Sequence, residues 1–335
     1  MQVFYEVFML IGISKELPDW EYRTALIPED VAELTKQNNT VYIEADSGIR
    51  AGYDNAEYIS AGAYIVNSAK EVADKSEILL FINPPNTDGH NFFHSRQMLI
   101  SNFAGIDKAA VHKIVQKQKI SILALEKLPR LSRVQDIDIL SSQNNLAGYK
   151  AALIAVNMQN SVIPLMITSA GTSLPLKALV IGAGVAGLQA TATLHRMGAN
   201  VYCSDIRAET AAQVTSLGAT FIAADHIPTI LKESHILITT ALNPNGKPPL
   251  LVSAEMLKNM PYGSIAIDLA VGNIENARND KLITFENVKL SACSHLAADI
   301  AHTASLFYSH NMLNLLTRLP DLQKDAEIWP HIFIG

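Results

Sequence analysis

The stretch ALVIGAGVAGLQATATLHRMGANVYCSD, residues 178–205, decides the fold. It opens with an apolar run of strand length, Ala178 to Ile181. It then passes through Gly182, Gly184 and Gly187 in the pattern G-x-G-x-x-G and continues as a helical pattern through Leu188 and Leu194. Each glycine has a task in that setting. The first permits a tight turn, the second lets the backbone approach a pyrophosphate, and the third lets helix and strand pack closely. The helix N-terminus adds partial positive charge where phosphates would lie. Asp205, 23 residues after Gly182, ends the next strand, where a carboxylate can accept hydrogen bonds from both ribose hydroxyls. The strand–turn–helix context favours this account over a bare glycine turn with a helix-capping Asp. A carboxylate at that point repels a 2′-phosphate, so the expected cofactor is NAD(H), not NADP(H).

The same alternation extends outward in both directions. Strands are predicted at 200–204, 235–240, 264–269 and 287–291, with helices at 186–197 and 208–217. In the first half, short apolar or β-branched runs at 7–13, 41–45, 77–82 and 120–125 alternate with helical patterns after Pro28 and over 107–117. Strands alternating with helices imply parallel sheets covered on both faces. A long helix is predicted over 143–160 and a last one over 303–318, the latter returning to the first domain. The 335 residues, at roughly 150 per domain, suit two domains. The predicted fold is α/β: two Rossmann-like doubly wound parallel-sheet domains with a cleft between them, residues 1–140 plus 312–335 and residues 141–311.

Composition narrows the function. With 26 basic and 32 acidic side chains the formal charge is −6, and no Lys/Arg cluster is present to neutralise a phosphate backbone, so nucleic acid is not an expected partner. Charged residues make up 17% of the chain, below the roughly 25% of soluble domains, so extra apolar surface must be covered; an oligomer is expected. No run reaches the roughly 18 apolar residues of a spanning helix, so no direct membrane insertion is expected. The apolar start has no basic residue before Lys15 and reads as a strand rather than a signal peptide. Cys203 and Cys293 form neither a disulfide framework nor a ligand spacing, which implies a reducing, cytoplasmic location. No metal site is predicted. None of the ten histidines stands in an H-E-x-x-H pattern, and each, including His90, is expected to be a surface or packed residue.

The candidate nucleotide residues are therefore Gly182, Gly184, Val185, Gly187, Asp205, Ile206 and Arg207, with Thr240, Ala241 and Leu242 at the end of a neighbouring strand. Arg207 either covers the adenine or faces solvent. The polar stretch EKLPRLSRVQDIDILSSQNN, 126–145, lies between a strand and the long helix. Its Arg130, Arg133, Gln135, Asp136, Asp138, Ser141 and Ser142 either reach a nicotinamide ring or form a solvated linker with helix caps. Composition alone favours the linker.

Five segments together resemble the NAD(H)-binding component of proton-translocating NAD(P) transhydrogenase, in the larger family that includes alanine dehydrogenase. They are ISKE with Arg23-Thr24-Ala25 and Pro28-Glu29, PRLSRVQDIDILSSQNNLAGYKA (129–151), VIGAGVAGLQA (180–190), TTALNPNGKPP (239–249) and GSIAIDLAVG (263–272). The resemblance implies that Asp138 and Ser141 hold the nicotinamide carboxamide, that Arg130 supports that end of the cofactor, and that Gln135 reaches toward a second nucleotide. It implies NADP(H) on a partner subunit, a membrane-spanning partner, a homodimer, and a place at the cytoplasmic face of the inner membrane through those partners. Hydride passing from NADH to NADP⁺ moves no proton at the reacting carbons, so such a site needs two rings held face to face rather than an acid or base. The alternatives are an alanine dehydrogenase-like enzyme and a non-catalytic NAD-binding protein. Alanine dehydrogenase uses a Lys and a His around its keto acid, where Asn83 and Ala104 stand here. The sequence departs from the transhydrogenase pattern in the short segment Ala223 to Ser234, in Gly272-Asn273, in Ala297 and Asp299, and in Asp136, where the family has Ser.

Overall fold

The computed structural model describes residues 8–85, 93–104, 106, 108–243 and 247–335. Val7 and Asp107 at two predicted element starts, His90, and residues 244–246 of the TTALNPNGKPP segment lie outside the described residues. The chain divides into two compact units, one running up to Gln143 and resuming over Ile300–Gly335, the other Asn144–Asp299. The division falls inside the long helix Ile139–Met158 and just ahead of the helix Ala301–Leu322.

In the first unit, strands β1 (Leu10–Ile13), β2 (Thr40–Glu44), β3 (Tyr64–Val66), β4 (Ile78–Leu80), β5 (Met98–Ser101) and β6 (Ser121–Ala124) are joined by β16 (Phe333–Ile334). The sheet order is β16-β6-β5-β4-β1-β2-β3. All neighbours run parallel except β16, which pairs antiparallel with β6. Alternate side chains of a strand face opposite sides. Ile11, Ile13, Val41, Ile43, Ile78 and Leu80 accordingly enter one core, while Leu79, Leu99 and Ile122 enter another. The helix Pro28–Lys36 opens with Pro in its first turn and with Glu29 and Asp30 near its positive end, both favourable there. Tyr308, Met312, Leu315, Leu316 and Leu319 of Ala301–Leu322 complete the first core, which is why the chain returns to this unit from the start of that helix.

In the second unit, β9 (Lys177–Ile181), β10 (Asn200–Ser204), β11 (Thr220–Ile222), β12 (Ile236–Thr239), β13 (Ser264–Asp268), β14 (Ile283–Phe285) and β15 (Val288–Ala292) form a sheet in the order β11-β10-β9-β12-β13-β15-β14. Only β14 is antiparallel. Val180 on the central strand lies opposite Cys203 and Ile238, and it packs with Ala178, Ile236, Ile265 and Ile267; Leu179, Ile181, Leu237 and Leu290 fill the other face. A hairpin, β7 (Met166–Thr168) and β8 (Gly171–Ser173), stands apart from the sheet with exposed residues throughout. Both sheets are of the predicted mostly parallel, doubly wound kind. The helix predicted over 208–217 is divided into a 3-10 turn, Ala208–Thr210, and the helix Ala211–Ser216.

Candidate functional site

The loop after β9 in the second unit has the geometry its glycines predict. Gly182 adopts φ +108, a left-handed conformation open to glycine, and a Cβ there would fall 2.5 Å from Thr240 Oγ1. A Cβ on Gly187 would fall 1.7 Å from the Gly182 carbonyl oxygen, so the third glycine is what lets the helix Val185–Arg196 start directly on the loop. At Gly184 the added atom would meet nothing within 4 Å. The backbone at the helix N-terminus therefore faces open space, where a pyrophosphate can approach. A second close contact supports the helix: a Cβ on Gly148 of Ile139–Met158 would lie 2.0 Å from the Ala186 carbonyl oxygen.

Asp205, just past β10, aims its carboxylate into this loop. Its Oδ2 accepts from the Ala183 N–H (2.6 Å) and Arg207 Nη2 (3.0 Å), and its Oδ1 accepts from the Arg207 N–H (2.9 Å) and Nε (2.9 Å). Burial pushes this carboxyl's pKa up, but the hydrogen bonds from Arg207 and Ala183 and the Arg207 charge outweigh it and hold the group below its usual value. Asp205 is therefore ionised at neutral pH. Ile206 is 95% exposed, and Val185 and Leu242 are also exposed. They lie past the carboxyl ends of three adjacent strands, the edge at which doubly wound sheets bind ligands. Thr240 donates from Oγ1 to the Gly182 carbonyl (3.2 Å), which ties the end of β12 to the glycine loop. Ala241 donates its N–H to Asn273 Oδ1 (2.9 Å) and accepts from Asn273 Nδ2 (2.9 Å).

Two residues of this site, Asp268 and Asn273, are not marked by the sequence motifs. Asp268, wholly buried at the end of β13, accepts hydrogen bonds from the backbone N–H groups of Ala270, Val271, Gly272, Asn273 and Ile274 and from the Thr239 hydroxyl. A buried carboxylate is costly unless fully hydrogen-bonded, and this one is, so it shapes the turn that carries Asn273. The signal was present: a lone Asp closes the otherwise uncharged run SIAID.

The polar stretch of the first unit divides into two sets. Arg133 pairs with Asp325 and Glu327. Asp136 accepts from Arg318 Nη1 (2.6 Å), and the Ser142 hydroxyl donates to Asn311 Oδ1 (2.8 Å). These three tie the loop to the last helix and the segment after it. Asp136, the departure from the family's Ser, is thus an ion-pair partner. Asp138 caps Ile139–Met158, accepting from the Ser141 N–H (3.0 Å) and hydroxyl (2.6 Å). Arg130 and Gln135 are exposed.

The first unit also holds a charged cluster past the ends of β1 and β4. Glu16 accepts from the N–H groups of Ile82 (2.7 Å) and Asn83 (3.0 Å), and Asn83 Nδ2 donates to Glu21 (2.7 Å) and Glu16 (3.2 Å). Arg23 grips Glu21 through Nε (2.7 Å) and Nη2 (2.6 Å), and its Nη1 donates to Gln143 (2.7 Å). Desolvation first, and the nearby Glu21 charge after it, push the Glu16 carboxyl up to about 7. Glu21 goes the other way: burial raises it, but Arg23 and Asn83 lower it more.

Fold and loop define a two-unit α/β protein of the dinucleotide-binding type, whose second unit carries a glycine loop and acidic partner suited to a nicotinamide dinucleotide. Residues 12–147 match the N-terminal and 147–330 the C-terminal domain model of the alanine dehydrogenase/PNT family. The chain belongs to that family. It is 35% identical to the first of the chains that make up the NAD(P) transhydrogenase alpha subunit of Rickettsia prowazekii, over 92% of this chain and 89% of the relative. A solved transhydrogenase structure from Sinorhizobium meliloti superposes with a TM-score of 0.89 at 36% identity, covering 94% of this chain and 95% of that one. The alanine dehydrogenase of Bacillus subtilis is 29% identical over 78% of this chain and 71% of its own length.

Proposed function

We propose that the chain is the NAD(H)-binding component of a proton-translocating NAD(P) transhydrogenase. Its partners are then an NADP(H)-binding subunit and a membrane-spanning subunit, and it sits at the cytoplasmic face of the inner membrane through them. Among the described residues no helix is long and apolar enough to cross a membrane. NADH supplies the hydride that passes to NADP⁺ on the partner. This chain's residues bind and orient. The Gly182–Gly187 loop takes the pyrophosphate, Asp205 the adenosine ribose, and Thr240, Ala241 and Leu242 line the strand end beside it. Asp138 and Ser141 take the carboxamide of the nicotinamide, supported by Arg130, with Gln135 toward the second nucleotide.

One observation carries the choice of transhydrogenase over amino-acid oxidation. An amino-acid dehydrogenase must offer a cation to the substrate carboxylate. Here Arg23, the buried cation of the first unit, has Nε, Nη1 and Nη2 engaged by Glu21 and Gln143, and its neighbour Asn83 is neutral. The alternative, an alanine dehydrogenase-like enzyme, is favoured by the short connection between β11 and β12, which a 3-10 turn and the helix Ile227–Leu231 occupy. The homodimer draws support from Leu165, Ile167 and Leu174, exposed on or beside the hairpin. Mixing the chain with a transhydrogenase NADP(H)-binding subunit should give NADH-dependent reduction of NADP⁺, and the chain alone should give none. Oxidation of alanine by the chain alone would establish the alternative, and turnover in neither assay would leave a non-catalytic NAD-binding protein.

A further inference from the structure

A carboxylate has about four in-plane acceptor positions, and at Asp205 all four are taken. Two donors are the backbone N–H groups of Ala183 and Arg207, held by the loop itself. The other two are Nε and Nη2 of Arg207, a forked grip by a side chain that is 45% exposed on a carboxylate that is 7% exposed. A ribose diol arrives with two O–H donors and needs two of these positions. The backbone donors cannot leave without dismantling the glycine loop, whereas the guanidinium can swing into solvent. The diol and the fork therefore compete for the same lone pairs.

We propose that Arg207 is a displaceable counterion that masks Asp205 and sets the discrimination between NADH and NADPH. The proposal rests on the assignment of the Gly182–Gly187 loop and Asp205 to the coenzyme's adenosine half. While the fork holds, it weakens NADH binding by occupying the acceptors that the ribose requires. Once displaced, it is the one guanidinium hydrogen-bonded to this carboxylate among the described residues, and a 2′-phosphate would engage it through the same planar fork. Arg207 thus acts against the preference that Asp205 creates. Asp205 repels the 2′-phosphate and Arg207 softens the repulsion, so removing either should move the two affinities in opposite directions.

Isothermal titration of the full chain with NADH and with NADPH tests this in the wild type, Arg207→Gln, Arg207→Lys and Asp205→Asn, with circular dichroism to confirm that each variant is folded. Releasing an exposed ion pair of this kind should tighten NADH binding about fivefold in Arg207→Gln and weaken NADPH binding. Arg207→Lys, which keeps the charge but loses the fork, should fall between. Asp205→Asn should weaken NADH and strengthen NADPH. Weaker NADH binding by Arg207→Gln would overturn the proposal in favour of a direct contact between Arg207 and the adenine, and unchanged affinities would overturn it outright. A wild-type chain that binds neither nucleotide would instead defeat the site assignment, a failure distinct from that of the mask.

Discussion

The two units carry sheets of the same strand order and use the same position in opposite ways. Counting parallel strands from the start of each unit, both run 3-2-1-4-5-6 with one antiparallel strand at the edge after the sixth. Past β9 the chain turns through Gly182 and enters a helix at Val185, leaving the backbone at Gly184 open to a ligand. Past β1 it wanders until Pro28 before its first helix and fills the space with its own charges. There the Glu16 carboxylate takes the N–H groups of Ile82 and Asn83 at the end of β4. Topology thus offers a ligand position in both sheets. Loop sequence decides whether it receives a nucleotide or is closed by an internal carboxylate.

The sharpest way to break this contrast is at the glycines. Gly187→Ala places a methyl against the Gly182 carbonyl and should cost about 2 kcal/mol or more, seen as a lower Tm. Gly184→Val should leave the Tm nearly unchanged while abolishing NADH binding, because its side chain enters open space that only a ligand uses. Equal loss of stability in both variants would contradict the contrast.

In the first unit the corresponding test is pH. Glu16 has a folded-state pKa of about 7 against an unfolded value near 4.5. Folding therefore favours the protonated form. Its stabilising contribution is complete below about pH 4.5 and is lost as the pH rises through about 7. Denaturation of Glu16→Gln should show this loss flattened, by at most about 3 kcal/mol across the window. Glu21, whose pKa is lowered, works in the opposite sense, holding stability above its unfolded value and releasing it only as the pH falls below that range. A wild type whose stability rises from pH 5 to 7 would mean that Glu16 is ordinary. The smallest effect is expected at Arg318→Ala, which removes a half-exposed ion pair with Asp136. It should cost about 0.5–1 kcal/mol, with NADH affinity unchanged.

Much of the fold was legible because buried parallel strands are short, continuous apolar runs. NVYCS at 200–204 coincides with β10 to the residue, and ALVIG with β9 within one residue at each end. Two strands of the first unit were not predicted. Tyr64–Val66 is an edge strand three residues long with its Tyr exposed, and Met98–Ser101 is a four-residue run lying past residues outside the described set. Neither the hairpin Met166–Ser173 nor the antiparallel β14 was predicted, for both are short and lack a buried face to impose a pattern. In the nucleotide loop the glycine spacing sufficed, since its function is local. In the polar stretch it did not. Whether Asp136 or Asp138 faces a ligand depends on Arg318 and Asn311, far along the chain, which no local pattern reveals.

The central claim is that this chain presents a reduced nicotinamide to an oxidised one held elsewhere and takes no part in proton transfer at the reacting carbons. NADH deuterated at the transferable C4 position, mixed with this chain and an NADP⁺-loaded partner subunit in ordinary water, tests it directly. The account predicts that the deuterium is recovered at C4 of the NADPH formed, with none exchanged into solvent. Loss of the label to water, or its appearance in alanine formed from pyruvate and ammonia by this chain alone, would contradict it.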